Sequence, residues 1–69
     1  MLKIKEDTSF EQLKNLGFKK DKRNNISYSI TDELFGDVVI IHNDRKISFY
    51  EFSDGIRFKL MEKNLIEIV

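Results

Sequence analysis

The side chains able to do acid–base, nucleophilic or metal chemistry are few and scattered in this chain. It has one histidine, His42, and no cysteine. Imidazole is the ordinary general base at neutral pH, and imidazole and thiolate are the ordinary ligands of zinc. A metal site would need His42 with carboxylates alone, and none is expected. Ser27, Ser29, Ser48 and Ser53 lie outside any nucleophile-elbow sequence, with a single histidine left to activate them. Asp32, Glu33 and Asp37 gather carboxylates near one loop, but acid–base work needs a cleft that so short a chain scarcely encloses. Gly17, Gly36 and Gly55 are isolated, each suited to a turn or cap, and build no phosphate-cradling loop. His42 falls beside a turn, where an exposed position is expected. No catalytic residue, cofactor, metal or small-molecule substrate is predicted.

Charge supplies the next exclusion and one alternative. Twelve basic and twelve acidic side chains give a net charge of zero. Non-specific nucleic-acid binders carry a basic excess, because neutralising phosphates drives their affinity. Lys19, Lys20, Lys22 and Arg23 form a local basic run around Asp21, the one stretch suited to phosphate contacts. The same run reads structurally as a solvated strand end and turn, so nucleic acid ranks second as a partner. Tyr28, Phe49 and Tyr50 beside lysines would make a base-stacking platform only if exposed, and Tyr28 and Phe49 are assigned to the core. No apolar run approaches the roughly 20 residues that span a bilayer, and MLKIKEDTS lacks the apolar centre of a secretory signal. A soluble cytoplasmic protein without a membrane partner is expected.

These residues must be positioned by one small domain over residues 1–69. Without disulfides its stability has to come from a compact apolar core, for which 41% hydrophobic residues are enough. Its centre is the stretch Gly36 to Phe52, read as a β-hairpin. Val38-Val39-Ile40-Ile41 and Ile47-Ser48-Phe49-Tyr50-Glu51-Phe52 are strand formers, with Asn43-Asp44 as turn residues between them. A two-residue loop pairs Ile40 with Ile47, Val39 with Ser48 and Val38 with Phe49. One face then carries Val38, Ile40, Ile47 and Phe49 as core; the other carries Val39, Ile41, Tyr50 and Phe52.

Around the hairpin, Leu2 to Lys5 alternates as a short strand. Thr8 and Glu11 have the spacing of a capping box, and Phe10, Leu13 and Leu16 make one helical stripe. Gly17 stops that helix at positive φ, followed by an apolar Phe18. Ile26, Tyr28 and Ile30 alternate inward on a strand, and Thr31 to Gly36 connects it to the hairpin. The segment from Ile56 is ambiguous: Ile56, Phe58 and Leu60 alternate like a strand, while Phe58, Met61 and Leu65 fit a helix. That helix would have Ser53 or Asp54 as N-cap and Asn64 as a left-handed end. Leu65 to Val69 closes as a strand.

Two stretches at the chain ends carry a resemblance. Ile4-Lys5-Glu6-Asp7 with Phe10-Glu11, Leu13 and Leu16-Gly17-Phe18, and the ending Phe58-Lys59-Leu60-Met61-Glu62-Lys63-Asn64-Leu65-Ile66-Glu67, resemble a group of small proteins common in prophages of Gram-positive bacteria. The resemblance implies a C-terminal helix ending at a glycine, whose place Asn64 takes here. It implies no activity and transfers no site residue.

The predicted fold is α+β in the order β-α-β-β-β-α-β, a mostly antiparallel sheet centred on a hairpin at 37–52, with both helices on the face of Val38, Ile40, Ile47 and Phe49. The predicted function is a small protein-interaction module that binds itself or another protein through the uncovered sheet face. Val39, Ile41 and Tyr50 are the candidate contacts. The alternative is a nucleic-acid-binding accessory using Lys19, Lys20, Lys22 and Arg23.

Overall fold

The computed structural model describes residues 1–69. Their order is β1 (Leu2–Ile4), α1 (Phe10–Lys14), β2 (Lys19–Lys20), β3 (Ile26–Asp32), β4 (Gly36–His42), β5 (Ile47–Phe49), α2 (Asp54–Glu62) and β6 (Ile66–Ile68). Every strand pairing is antiparallel, so the chain is α+β with more sheet than helix. β2 is one strand more than expected: the first two lysines of the basic run pair with Ser29 and Tyr28. The sheet is also divided. Four strands run in the order β2-β3-β4-β5, and β1 pairs with β6 in a second sheet. A bridge between Lys3 and Lys46 joins the two, with the Ile4 N–H donating to the Arg45 carbonyl at 2.9 Å.

Both helices end in the same way. Gly17 (φ 103°) and Asn64 (φ 58°) take left-handed conformations. Behind them the Phe18 N–H donates to the Leu13 carbonyl and the Leu65 N–H to the Leu60 carbonyl. This closure usually brings an apolar pair together, and Leu13, Phe18, Leu60 and Leu65 are all buried. The start of α1 lies one residue later than the spacing of Thr8 and Glu11 indicated. Ser9 Oγ accepts from the Gln12 N–H at 3.3 Å, and Gln12 Oε1 accepts from the Ser9 N–H at 2.9 Å. Thr8 Oγ1 is buried without a partner. In α2 the inward residues are Ile56 and Leu60, one turn apart, whereas Phe58 and Met61 are exposed.

The hairpin register differs from the expected one by a residue. The β4–β5 turn has three residues, Asn43-Asp44-Arg45. The His42 N–H donates to the Lys46 carbonyl at 2.9 Å, and Arg45 closes the turn at φ 74°. A three-residue turn ending in a left-handed residue is a standard hairpin solution; here that residue is an arginine, where glycine would have announced it. Ile41 therefore faces Ile47, Ile40 faces Ser48 and Val39 faces Phe49. A slip of one residue turns a strand's side chains over. Val39 and Ile41, assigned above to a contact surface, are 0% and 2% exposed and belong to the core cluster. Of the three proposed contacts only Tyr50 reaches the surface.

Bulges complete the sorting of faces. The β3–β4 register shifts between Ile26 and Tyr28 and again between Ile30 and Thr31. At the second shift β4 carries one residue more than β3, and both Val38 and Val39 join the core. The covered face thus bears Tyr28, Ile30, Val39, Ile41, Ile47 and Phe49. Phe10, at the start of α1, stacks on Tyr28 with ring centroids 5.1 Å apart, and the Arg57 guanidinium of α2 lies 4.5 Å over the Phe49 ring. Both helices consequently sit on one face, as anticipated. Ile40, expected among the covered residues, is instead on the opposite face between Ser29 and Ser48. The segment before β4 is shorter than expected, because β3 runs through Asp32 and leaves only Glu33-Leu34-Phe35 as a turn.

Candidate functional site

The face without helices carries a polar network. Asp21 and Asp37 hold the Arg23 guanidinium between them: Nη2 lies 2.7 Å from Asp21 Oδ2 and 2.9 Å from Asp37 Oδ1, and Nη1 lies 3.0 Å from Asp37 Oδ2. The Ser29 hydroxyl donates to Asp21 at 2.7 Å. Hydrogen bonds from the Arg23 side chain, the Ser29 hydroxyl and the Arg23 backbone hold the Asp21 carboxyl far below the usual carboxylate range. The same bonds, to Asp21 first and then Asp37, raise Arg23 further above its ordinary value. The depressed Asp21 favours the folded chain above the ordinary aspartate range, and that contribution is lost as pH falls below it. The sheet face expected to be apolar thus carries these paired polar groups around a buried Ile40.

At the other end of β4, His42 Nε2 and Ser48 Oγ are 2.9 Å apart. His42 is half-buried rather than an exposed turn residue. The pair borders an open depression with Asn25, Asn43, Asp44 and Lys46. A serine hydroxyl on an imidazole nitrogen is the first contact of nucleophile activation. The second contact is a group that orients the ring through its other nitrogen. His42 has no such hydrogen bond. The nearby Asp44 carboxylate accepts from the Lys46 N–H at 3.0 Å, which together with the Lys46 charge keeps it below its ordinary range.

The basic run does not act as a unit. Lys19, Lys20 and Lys22 are exposed and make no ion pair, whereas Arg23 is taken up by two aspartates. A second open depression lies where α1 meets β2, lined by Phe10, Lys14, Gly17, Phe18, Lys19 and Lys20. Lys20 places its ammonium 5.2 Å over the Phe10 ring. Its position follows from the left-handed Gly17, which turns the chain back so that β2 runs beside β3.

An exposed apolar feature built from two turns lies elsewhere. Leu34 and Phe35, on the β3–β4 turn, are 87% and 61% exposed; Tyr50 and Phe52, on the β5–α2 turn, are 48% and 68% exposed. The Phe35 and Phe52 rings meet with centroids 4.5 Å apart, which joins the two turns into one ridge. Each half is held from behind. Asp32 Oδ1 accepts from the Leu34 and Phe35 N–H groups at 2.8 and 3.1 Å. The Tyr50 N–H donates to the Val38 carbonyl at 2.9 Å, and the Ser53 hydroxyl donates to the Tyr50 carbonyl. Phe52 adopts φ 66°, a conformation that costs a side chain of its kind roughly 1–2 kcal/mol.

Compared with protein-family models, curated proteins and solved structures, the chain matches none of them. No helix is long and apolar enough to cross a membrane. Of the anticipated contacts Tyr50 lies at the surface and Val39 and Ile41 lie in the core, while Leu34, Phe35 and Phe52 are exposed on the two turns. Phe52 was legible as a member of the uncovered face. Leu34 and Phe35 had a signal too: two large apolar residues between Glu33 and Gly36, in a segment whose pattern is neither strand nor helix.

Proposed function

We propose that this chain is a small, non-catalytic protein-interaction module that meets its partner through the ridge of Leu34, Phe35, Tyr50 and Phe52. One observation carries the reading: four large apolar side chains from two turns are exposed together, while polar side chains are drawn inward to brace the turns. Monomeric soluble proteins seldom expose a contiguous apolar patch of more than a few hundred Å² without a use for it. Aromatic side chains, Tyr above all, anchor interfaces by burying a ring at little entropic cost. Backbone strain at Phe52 points the same way, since strained non-glycine residues gather where function requires them. A prophage origin and a cytoplasmic setting belong to the same proposal, supported by the resemblance of both chain ends to small prophage proteins. The test replaces Leu34 and Phe35 with serine in the intact chain. Self-association by sedimentation, or capture of a defined partner from the native host, should fall while the circular dichroism spectrum stays the same. If both were unaffected by the substitutions, the ridge would not be the contact surface.

The second reading is a nucleic-acid accessory, favoured by the exposed, unpaired Lys19, Lys20 and Lys22 and opposed by the neutralisation of Arg23. Binding to DNA or RNA is expected to be no tighter than about 10⁻⁵ M at physiological salt, in the range of ordinary non-specific contacts. A sub-micromolar affinity lost on neutralising the three lysines would reverse the ranking.

A further inference from the structure

We infer that the partner of the ridge is a second copy of this chain, seated head to tail: the ridge of one copy enters the depression between α1 and β2 of the next. The inference rests on the reading of the ridge as a contact surface, and it names the occupant.

The two features are complementary in charge, and both have an apolar centre. Leu34 is the most exposed side chain of the ridge. The stretches that form it, 31–37 and 50–56, contain five carboxylates (Asp32, Glu33, Asp37, Glu51 and Asp54) and no lysine or arginine. Asp37 is already paired with Arg23, and Asp32 caps its own turn. Glu33, Glu51 and Asp54 have no ion pair and form an acidic margin to the apolar ridge.

The depression is the converse. Phe10, Gly17 and Phe18 make its apolar part, and Lys14, Lys19 and Lys20 its margin; no acidic residue lines it. Gly17 brings backbone rather than side chain to the surface there, which leaves room for an incoming group. A net charge of zero thus resolves into an acidic projection and a basic hollow.

One copy cannot join its own two halves. The hollow lies beside Tyr28, on which Phe10 stacks, and Ile30, against which Gly17 packs, and the ridge begins beyond Asp32 on the same strand. At about 3.3 Å per residue the two are about 7–13 Å apart along β3, on one rigid strand. Each copy therefore offers one projection and one hollow to different neighbours. Such a heterologous contact builds a ring if the rotation closes and a filament if it does not. The charged margins orient the approach and make the contact sensitive to salt, while the apolar centre holds it.

Sedimentation of the full chain at rising concentration tests this directly. Two variants are compared: Leu34→Ser with Phe35→Ser, which removes the projection, and Lys14→Glu with Lys19→Glu, which inverts the hollow's margin. The wild-type mass should rise with concentration and fall back in high salt. Each variant alone should associate about tenfold more weakly or not at all. Mixed one to one, they should form a dimer and nothing larger, because one intact projection and one intact hollow remain between them. A wild type that stays monomeric at every concentration overturns the inference, and so does a mixture that stays monomeric. If the ridge variant alone loses association and the hollow variant retains it, the ridge reading stands and the seat is wrong. If the ridge variant associates like the wild type, the reading of the ridge itself falls.

Discussion

Two turns flank β5, and each contains a non-glycine residue at positive φ: Arg45 at 74° before the strand and Phe52 at 66° after it. Both carry a similar backbone cost, but their side chains are used differently. Arg45 Nη1 donates to the Ile4 carbonyl at 3.1 Å and lies 3.6 Å from a Glu67 carboxylate oxygen. It ties the hairpin to β1 and β6 and fixes the register of β4 against β5. Phe52 touches the Phe35 ring and leaves most of its surface to water. One strained residue is explained by the fold around it. The other has no comparable role within the chain, which is why the ridge is read as a surface kept for a partner.

The sharpest way to break this contrast is to place a charge on each side of it. Ile41 pairs with Ile47 inside the core, so Ile41→Lys must bury an ammonium without a partner. Unpartnered buried charges belong to the small class of substitutions that cost more than about 4 kcal/mol. In a domain of this size that is enough to unfold most of the protein. Leu34→Lys, on the ridge, should change stability by no more than about 0.5 kcal/mol. Urea titrations of the two variants provide the check. A folded Ile41→Lys protein would mean that the register expected from a two-residue loop was the right one after all.

Removing Arg45 altogether leaves Asn43-Asp44 as the whole loop. Lys46 then follows Asp44 directly, so His42 still faces Lys46 and Ile41 still faces Ile47 across a two-residue loop, the commonest hairpin connection. The register is kept. What is lost is the Arg45 hydrogen bond to the Ile4 carbonyl, a kind that contributes about 1.5–3 kcal/mol, set against a relieved backbone cost of roughly 1–2 kcal/mol. A loss of about 1 kcal/mol is expected, read as an earlier urea midpoint with little change of slope. Deleting Leu34 from the β3–β4 turn should cost less, because its side chain is exposed and makes no comparable bond.

This hairpin also shows what was and was not legible in the sequence. Five of the six strands and the helix end at Gly17 follow from patterns confined to a few adjacent residues, whereas β2 and the division into two sheets do not, and the pattern before Asn64 fitted a strand as well as a helix. Register is different. It hung on one left-handed residue whose identity, arginine, gave no local sign, and it took Val39 and Ile41 from the surface to the core. The bulge at Val38 was equally silent, because a β-branched run looks the same with or without an extra residue. For α2 the pattern misled in another way. Phe58 and Met61 are spaced as a core stripe, yet Ile56 and Leu60 hold the core and the larger pair is exposed. Charge reading fared better for the basic run, except that Arg23 is neutralised by Asp37, a partner 14 residues away.

The same distinction between an engaged and an idle polar group appears at the start of α1, with a smaller effect. Ser9→Ala removes the hydroxyl that caps Gln12 and should cost about 1 kcal/mol. Thr8 has the opposite status, since its hydroxyl is buried and bonds to nothing. Thr8→Val removes that unmet group at nearly the same shape and should be neutral or stabilising by up to about 1 kcal/mol. Thermal melts of the two variants should therefore move apart. If Thr8→Val proved as damaging as Ser9→Ala, the helix would begin at Thr8, as its spacing with Glu11 first indicated.

The smallest effects return to the two left-handed residues. Glycine at either position relieves the backbone cost, roughly 1–2 kcal/mol, and gives back about 0.4–1 kcal/mol through a freer unfolded chain. At Arg45 the substitution also removes a charged hydrogen bond to the Ile4 carbonyl, a kind that contributes about 1.5–3 kcal/mol. Arg45→Gly should therefore be destabilising, by about 1 kcal/mol. At Phe52 the only loss is a ring contact between two largely exposed side chains, near the lower end of about 0.5–1.5 kcal/mol. Phe52→Gly should leave stability within about 0.5 kcal/mol of the wild type. Paired urea titrations decide it. If Phe52→Gly were instead the more damaging of the two, that phenylalanine would belong to the fold, and the ridge would lose one of the two residues that join it.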